Sequence, residues 1–176
     1  MDYEERQRGF HAALGASRPP DFIDSFSLGV SNAPWTAATE AYEDWYLVQD
    51  FAALGVLNEA AISGSRAHPH DVAASVAAGG VAGVYGLKVG TAPHARLHYA
   101  HWFGKPEGMS YRELFARLSP VVDRVDGALW MRQMVLGPAR EFCLHAAVRV
   151  SELADFEALV IPVRPIWPER AESSTA

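Results

Sequence analysis

The opening of the chain is written a second time 108 positions later. Met1-Asp2-Tyr3-Glu4-Glu5 returns as Met109-Ser110-Tyr111-Arg112-Glu113. Each copy leads a helical segment, then two strand-like runs, then a short helix that carries an Asp-Phe-x-Ala-Leu phrase. The first phrase is Asp50-Phe51-Ala52-Ala53-Leu54 and the second Asp155-Phe156-Glu157-Ala158-Leu159. An internal repeat constrains the fold more than composition does, because both copies must then be the same kind of supersecondary unit.

The pattern of each half follows from its punctuation. Residues 2–15 read as a helix with Tyr3, Phe10, Ala13 and Leu14 on one stripe, stopped by Gly15 and Pro19-Pro20. Strands are expected at 22–30, with Phe22, Phe26, Leu28 and Val30 on one parity, and at 42–51, which is rich in aromatic residues. Asp50 is placed to cap a helix over 52–62. A short helix over 70–78 stops at Gly79-Gly80, and a strand follows over 81–89.

The second half reads as a strand at 96–103, a turn at 104–108 and a helix capped by Ser110, with Glu113 completing a capping box. A strand at 129–136, a turn at Gly137-Pro138, a strand at 142–150, a short helix at 151–158 and a strand at 160–167 complete it. That order is β-α-β-β-α-β, the ferredoxin-like order. The first half has the same order without its first strand, plus one small helix. The expected fold is therefore α+β: two fused ferredoxin-like units with antiparallel sheets, at 1–92 and 93–168, and a disordered tail at 169–176. The missing strand is expected either upstream of Met1 or lost, leaving an open edge in the first-half sheet or one covered by another segment.

Charge narrows the partners. With 15 Lys and Arg against 21 Asp and Glu, the net charge is −6, and only two lysines are present. Sequence-independent binding to nucleic acid needs a basic surface to displace counterions, so that class is set aside. The apolar stretch from Val72 to Leu87 is too short and too interrupted by glycine to span about 30 Å of hydrocarbon. The charged opening does not resemble a signal peptide, and the expectation is a cytoplasmic protein without a membrane partner. The single cysteine, Cys143, reads as a buried strand residue.

Several motifs dissolve once they are placed on elements. His94, His98 and His101 would share one helical face, as a zinc site needs, but their segment reads as a strand, on which His98 and His101 point to opposite sides. No metal is expected. His68-Pro69-His70-Asp71 reads as a helix start. The glycines at 79–86 lie between a helix and a strand, the reverse of the order a dinucleotide loop requires.

The remaining constellation lies on the later strands. Trp130, Arg132 and Met134 share one face of their strand, and Cys143 and His145 share one face of the next. A pocket wall built from Trp130, Arg132 and His145, with His98 or His101 beside it, is the expected ligand site. Tyr46, Gln49 and Lys105 are weaker candidates.

Tandem ferredoxin-like units with aromatic strands and Trp and His near the sheet resemble the dimeric α+β-barrel superfamily. It includes small quinol monooxygenases, stress-responsive barrel proteins and the haem-binding chlorite dismutase and dye-decolourising peroxidase branches. The resemblance implies a pseudo-dimeric barrel that binds a small molecule, as a cofactor-independent monooxygenase-like or isomerase-like enzyme. Arg132 would orient an anionic or phenolic substrate, and a histidine would move a proton. A haem barrel with a histidine ligand is the alternative cofactor reading, and a non-catalytic interaction module the alternative function. A homodimer is the expected assembly.

Overall fold

Two fourteen-residue helices lie 108 positions apart in the chain, and their first turns are capped alike. Helix α1 (Tyr3–Ala16) is capped by Asp2, whose carboxylate accepts the Glu5 N–H; helix α4 (Tyr111–Arg124) is capped by Ser110, whose hydroxyl accepts the Glu113 N–H. The Glu113 carboxylate returns to the Ser110 N–H at 2.8 Å, which closes the expected capping box. The hydroxyl of Ser110 holds the Glu113 carboxyl below the usual glutamate range.

The computed structural model describes residues 2–36, 38, 40–92, 97–134 and 139–168. The remaining elements are β1 (Phe22–Ser31), β2 (Glu40–Val48), α2 (Phe51–Ala61), a 3-10 turn (Gly64–Arg66), α3 (Ala67–Ala74), β3 (Val84–Gly90), β4 (Tyr99–Phe103), β5 (Ala128–Met134), β6 (Phe142–Ala146), a 3-10 turn (Ser151–Phe156) and β7 (Leu159–Trp167). The chain is α+β, with seven strands ordered β2-β1-β7-β4-β6-β5-β3. Position 96 of the strand expected at 96–103, the end of the strand at 129–136, the turn at Gly137-Pro138 and the tail at 169–176 lie outside the described residues, and positions 97 and 98 precede β4 rather than belong to it.

The chain divides into two compact units that interleave in sequence. One comprises 1–29, 42–80 and 165–176; the other comprises 30–41 and 81–164. In the second unit β4 pairs with β6 and β7, and β5 with β6 and β3, all antiparallel. Helix α4 connects β4 to β5, and β6 lies between them. The 3-10 turn connects β6 to β7, and β4 lies between those two. These are two interlocked split crossovers, and α4 covers one sheet face. Leu114, Leu118 and Val122 of α4 pack on Phe103, Leu129, Phe142, Leu144 and Ala146. Full burial of a leucine of this kind contributes about 2 kcal/mol.

Gly90 ends β3 where only glycine fits. Its φ is +85°, and a Cβ there would lie 2.0 Å from the Gly127 carbonyl oxygen. The β3–β5 ladder thereby closes against the turn that leaves α4.

In the first unit, Phe10 and Leu14 of α1 pack with Phe22 of β1 and Leu57 of α2, with Tyr46 and Val48 of β2 beside them. Here β1 departs from simple alternation. Phe22 packs against α1, yet so does Ser25, through a hydrogen bond to His11. The alternation slips by one between them, so Phe26 turns to the other face and stacks on Trp45 at 5.6 Å. Phe22 and Phe26 do not share a face, contrary to the parity expected from sequence. The neighbours of β1 are β2 and β7, so the C-terminal strand lies on one flank of β1, and β2 ends the order.

The two Asp-Phe-x-Ala-Leu phrases also part company. Asp50 caps α2 by accepting the Ala53 N–H at 3.0 Å, and Phe51 begins that helix. Asp155-Phe156 ends a 3-10 turn, where Asp155 pairs with Arg117, and Leu159 already belongs to β7. No helix among the described residues is long and apolar enough to cross a membrane.

Candidate functional site

The expected ligand residues distribute over both faces of the second unit's sheet. Phe103, Leu129, Met131, Phe142 and Leu144 pack toward α4. Alternation therefore turns Trp102, Trp130, Arg132, Cys143 and His145 to the opposite face. Cys143 is the register partner of both Trp102 and Trp130, which brings the three together across three strands. Trp35, from the segment after β1, meets the Trp102 ring edge-on at 5.0 Å, and Tyr85 of β3 meets it at 5.8 Å. His145 is fully buried, with Nε2 3.6 Å from Cys143 Sγ. Arg132 donates from Nη1 to the Ala139 carbonyl at 2.7 Å, and its backbone N–H bonds the Glu141 carbonyl. Trp130, Arg132 and His145 thus share one face, as the sequence pattern expects.

His101 is elsewhere. It points toward α4, where Nδ1–H donates to the Leu144 carbonyl at 3.2 Å and Nε2 accepts the Val150 N–H at 3.0 Å. Burial lowers its pKa, the Leu144 hydrogen bond opposing that shift. With both ring nitrogens bonded to backbone, the ring ties β4 to β6 and to the approach of the following 3-10 turn, and offers no ligand atom to a metal or haem iron. His98 is exposed ahead of β4, and its backbone bonds Ala146 and Val163. His94 lies outside the described residues. The Lys105 ammonium donates to the Met109 carbonyl at 2.6 Å. Among the described residues no group of three or more His, Cys, Asp or Glu is placed to hold a metal.

A second cluster, in the first unit, escaped the sequence reading. His11 of α1 is fully buried, and its Nδ1 lies 2.7 Å from Ser25 Oγ on β1. Its Nε2 lies 3.6 Å from Asp44 Oδ1 on β2. Asp44 Oδ1 accepts the Ser27 hydroxyl at 2.6 Å, and Oδ2 accepts Gln7 Nε2 at 2.9 Å. Tyr46 stacks on the imidazole at 5.3 Å, and Trp167 lies 6.3 Å from it. Burial, with the charge of Asp44 adding to it, pushes the Tyr46 and Tyr3 phenols up. The signal in the sequence was polar residues on an apolar stripe: Gln7 and His11 occupy core positions between Tyr3, Phe10 and Leu14.

Serine, imidazole and carboxylate in this sequence are the components of a charge-relay nucleophile. The hydroxyl to be activated, however, is 3 % exposed and lies under α1, so a substrate has no approach to it. Its chemistry is that of a buried polar network, which fixes where α1 rests on β1 and β2.

The chain matches no protein-family model, and no curated protein or solved structure aligns with it.

Proposed function

We propose that the protein binds a small planar aromatic molecule bearing an acidic group against the face of the second unit that carries Trp102, Trp130, Arg132 and His145. The observation behind this reading is the convergence of indole and phenol rings around Trp102 with a buried Cys143–His145 pair. Ring faces and edges stack on aromatic ligands, each such contact contributing about 1 kcal/mol. Arg132 supplies the cationic fork for a carboxylate or phenolate. His145 is placed on that face to take a proton from the hydroxyl of a bound phenol or enol and return it to a carbon of the same molecule, an isomerase-like proton transfer with no net change in composition.

The tandem architecture belongs to the same proposal, and strand order supports it. In the second half the order β7-β4-β6-β5 is fourth, first, third, second. If the first half follows the same rule, β1, β2 and β3 are its second, third and fourth strands. Joining the two series at β1–β7 and at β5–β3 yields the observed order with one place unfilled, that of the first strand beside β2.

Titration with hydroxybenzoates, quinols and naphthols, followed by fluorescence of the five tryptophans, tests the ligand reading. Saturable one-to-one quenching is expected, weakened roughly tenfold or more in Arg132→Gln, in line with loss of a charge-assisted bond. His98→Ala should bind as the parent does. If every compound fails to saturate, or Arg132→Gln binds unchanged, the aromatic face is core and the proposal falls.

A further inference from the structure

Trp102 and Trp130, the indoles of the proposed ligand face, are 4 % and 5 % exposed. A ligand reaches that face only if something covering it gives way. What covers Trp102 therefore decides which ligands enter.

Trp35 and Tyr85 meet Trp102 at steep angles, 68° and 78°, and they are held very differently. Tyr85 belongs to β3, opposite Arg132 of β5, and its hydroxyl donates to the Arg140 carbonyl at 3.4 Å. Gly83 leaves room for its ring, since a Cβ there would lie 2.8 Å from a phenol carbon. Moving Tyr85 means opening a ladder. Trp35 belongs to no strand and lies in the turn after β1. Asn32 enters that turn at a φ of +56°, a conformation asparagine tolerates. The Thr36 N–H bonds the Ala33 carbonyl at 3.1 Å, and the Ala38 N–H bonds the Thr36 hydroxyl at 3.2 Å. Both bonds lie within the turn, and neither involves the Trp35 side chain. Trp35 is half-buried, so part of it already faces solvent. A change of rotamer lifts it off Trp102 without breaking a bond of the sheet.

We propose that the Trp35 indole occupies the place of the ligand's ring on Trp102 and gives way to it, so that the ligand is a bicyclic aromatic acid of indole or naphthalene size. This rests on the aromatic-ligand reading above. The place that Trp35 vacates has the size and flatness of an indole, beside Trp102. A single ring leaves part of it void, and a void forfeits the contacts of its lining. Tyr85 also meets Trp102 and is the register partner of Arg132, which sets the acidic group of the ligand toward that end. The resident indole is a competitor as well, because every ligand that binds must displace the contact between Trp35 and Trp102.

Binding of 3-hydroxy-2-naphthoate and of 4-hydroxybenzoate to the full chain, followed by calorimetry, tests it. The naphthoate should bind roughly tenfold tighter. In Trp35→Ala, with the competitor gone, its affinity should rise about fivefold. Were Trp35 a wall of the site, the affinity would fall instead. Labelling the five tryptophans with 5-fluorotryptophan gives a fluorine signal for each, and Trp35→Phe assigns that of Trp35. In the parent protein this signal should become accessible to a soluble gadolinium chelate when naphthoate binds. That measurement carries the test if Trp35→Ala does not fold. Naphthoate binding with Trp35 still covered, unchanged or weaker binding in Trp35→Ala, or equal affinity for the two acids each overturns this proposal and leaves the aromatic-ligand reading standing. Saturation by neither acid, in parent and variant alike, overturns that reading and this proposal with it.

Discussion

His101 and His11 are both sealed from water, and the difference between them is a matter of donors and acceptors. His101 is matched on both nitrogens by backbone, in a position where the neutral ring is the form that fits. Protonation would turn Nε2 into a second donor facing the Val150 N–H. Its folded pKa lies below the ordinary 6.5, chiefly through burial. The unfolded chain therefore holds more protons between the folded pKa and 6.5, and stability rises with pH across that window. The contribution is complete above about pH 6.5 and lost as pH falls through the window, with a slope of at most about 1.4 kcal/mol per pH unit. In His101→Gln, whose amide keeps one donor and one acceptor, urea unfolding from pH 7 to 4 should show that slope removed. An unchanged acid limb would assign it to other groups. From sequence, this ring was indistinguishable from a ligand, since strand placement gives its face but not the carbonyl and N–H that meet it.

At the level of elements, caps were the most legible feature. Asp50 and Ser110 act where the sequence put them, because a cap is a local bond between a side chain and an N–H three residues on. Ser110→Ala should cost about 1 kcal/mol in chemical denaturation, and Ser110→Asp should restore most of it. Faces were legible in β5 and β6, whose alternation is regular, so Trp130, Arg132, Cys143 and His145 were placed together correctly. They were not legible in β1, where the slip between Phe22 and Ser25 reverses the assignment of everything after it. That slip concealed the Asp44 cluster: read with strict alternation, Ser25 and Ser27 are turned away from α1. The Asp-Phe-x-Ala-Leu phrase misled for a related reason, since the same letters begin a helix at Asp50 and end a 3-10 turn at Asp155.

For the whole molecule, element order carried the α+β class and the sequence of strands in the second half, because helices and strands alternate in a way few topologies accommodate. Chain order gives no warning that the compact units interleave, since that depends on where β7 finishes. Its last residues belong with the first unit: Ile166 accepts a hydrogen bond from Arg8, and the Trp167 ring lies beside His11. Trp167→Ala should therefore speed amide exchange across α1 while leaving α4 as it is; equal effects on both helices would show that Trp167 has no special tie to the N-terminal one.

The neighbourhood of His11 and Trp167 has a temporal side. The two rings lie 156 positions apart in the sequence, and a ribosome adds roughly 5–20 residues per second. Helix α1 emerges with its apolar stripe and its buried histidine exposed, and it waits roughly 10 to 30 s for the ring that lies beside that histidine. The second unit, whose segments after residue 80 are contiguous, draws on chain already made. During synthesis α1 is therefore made well before the strand that completes its surroundings, and the interval in which it lacks that neighbour is when a chaperone has most to hold.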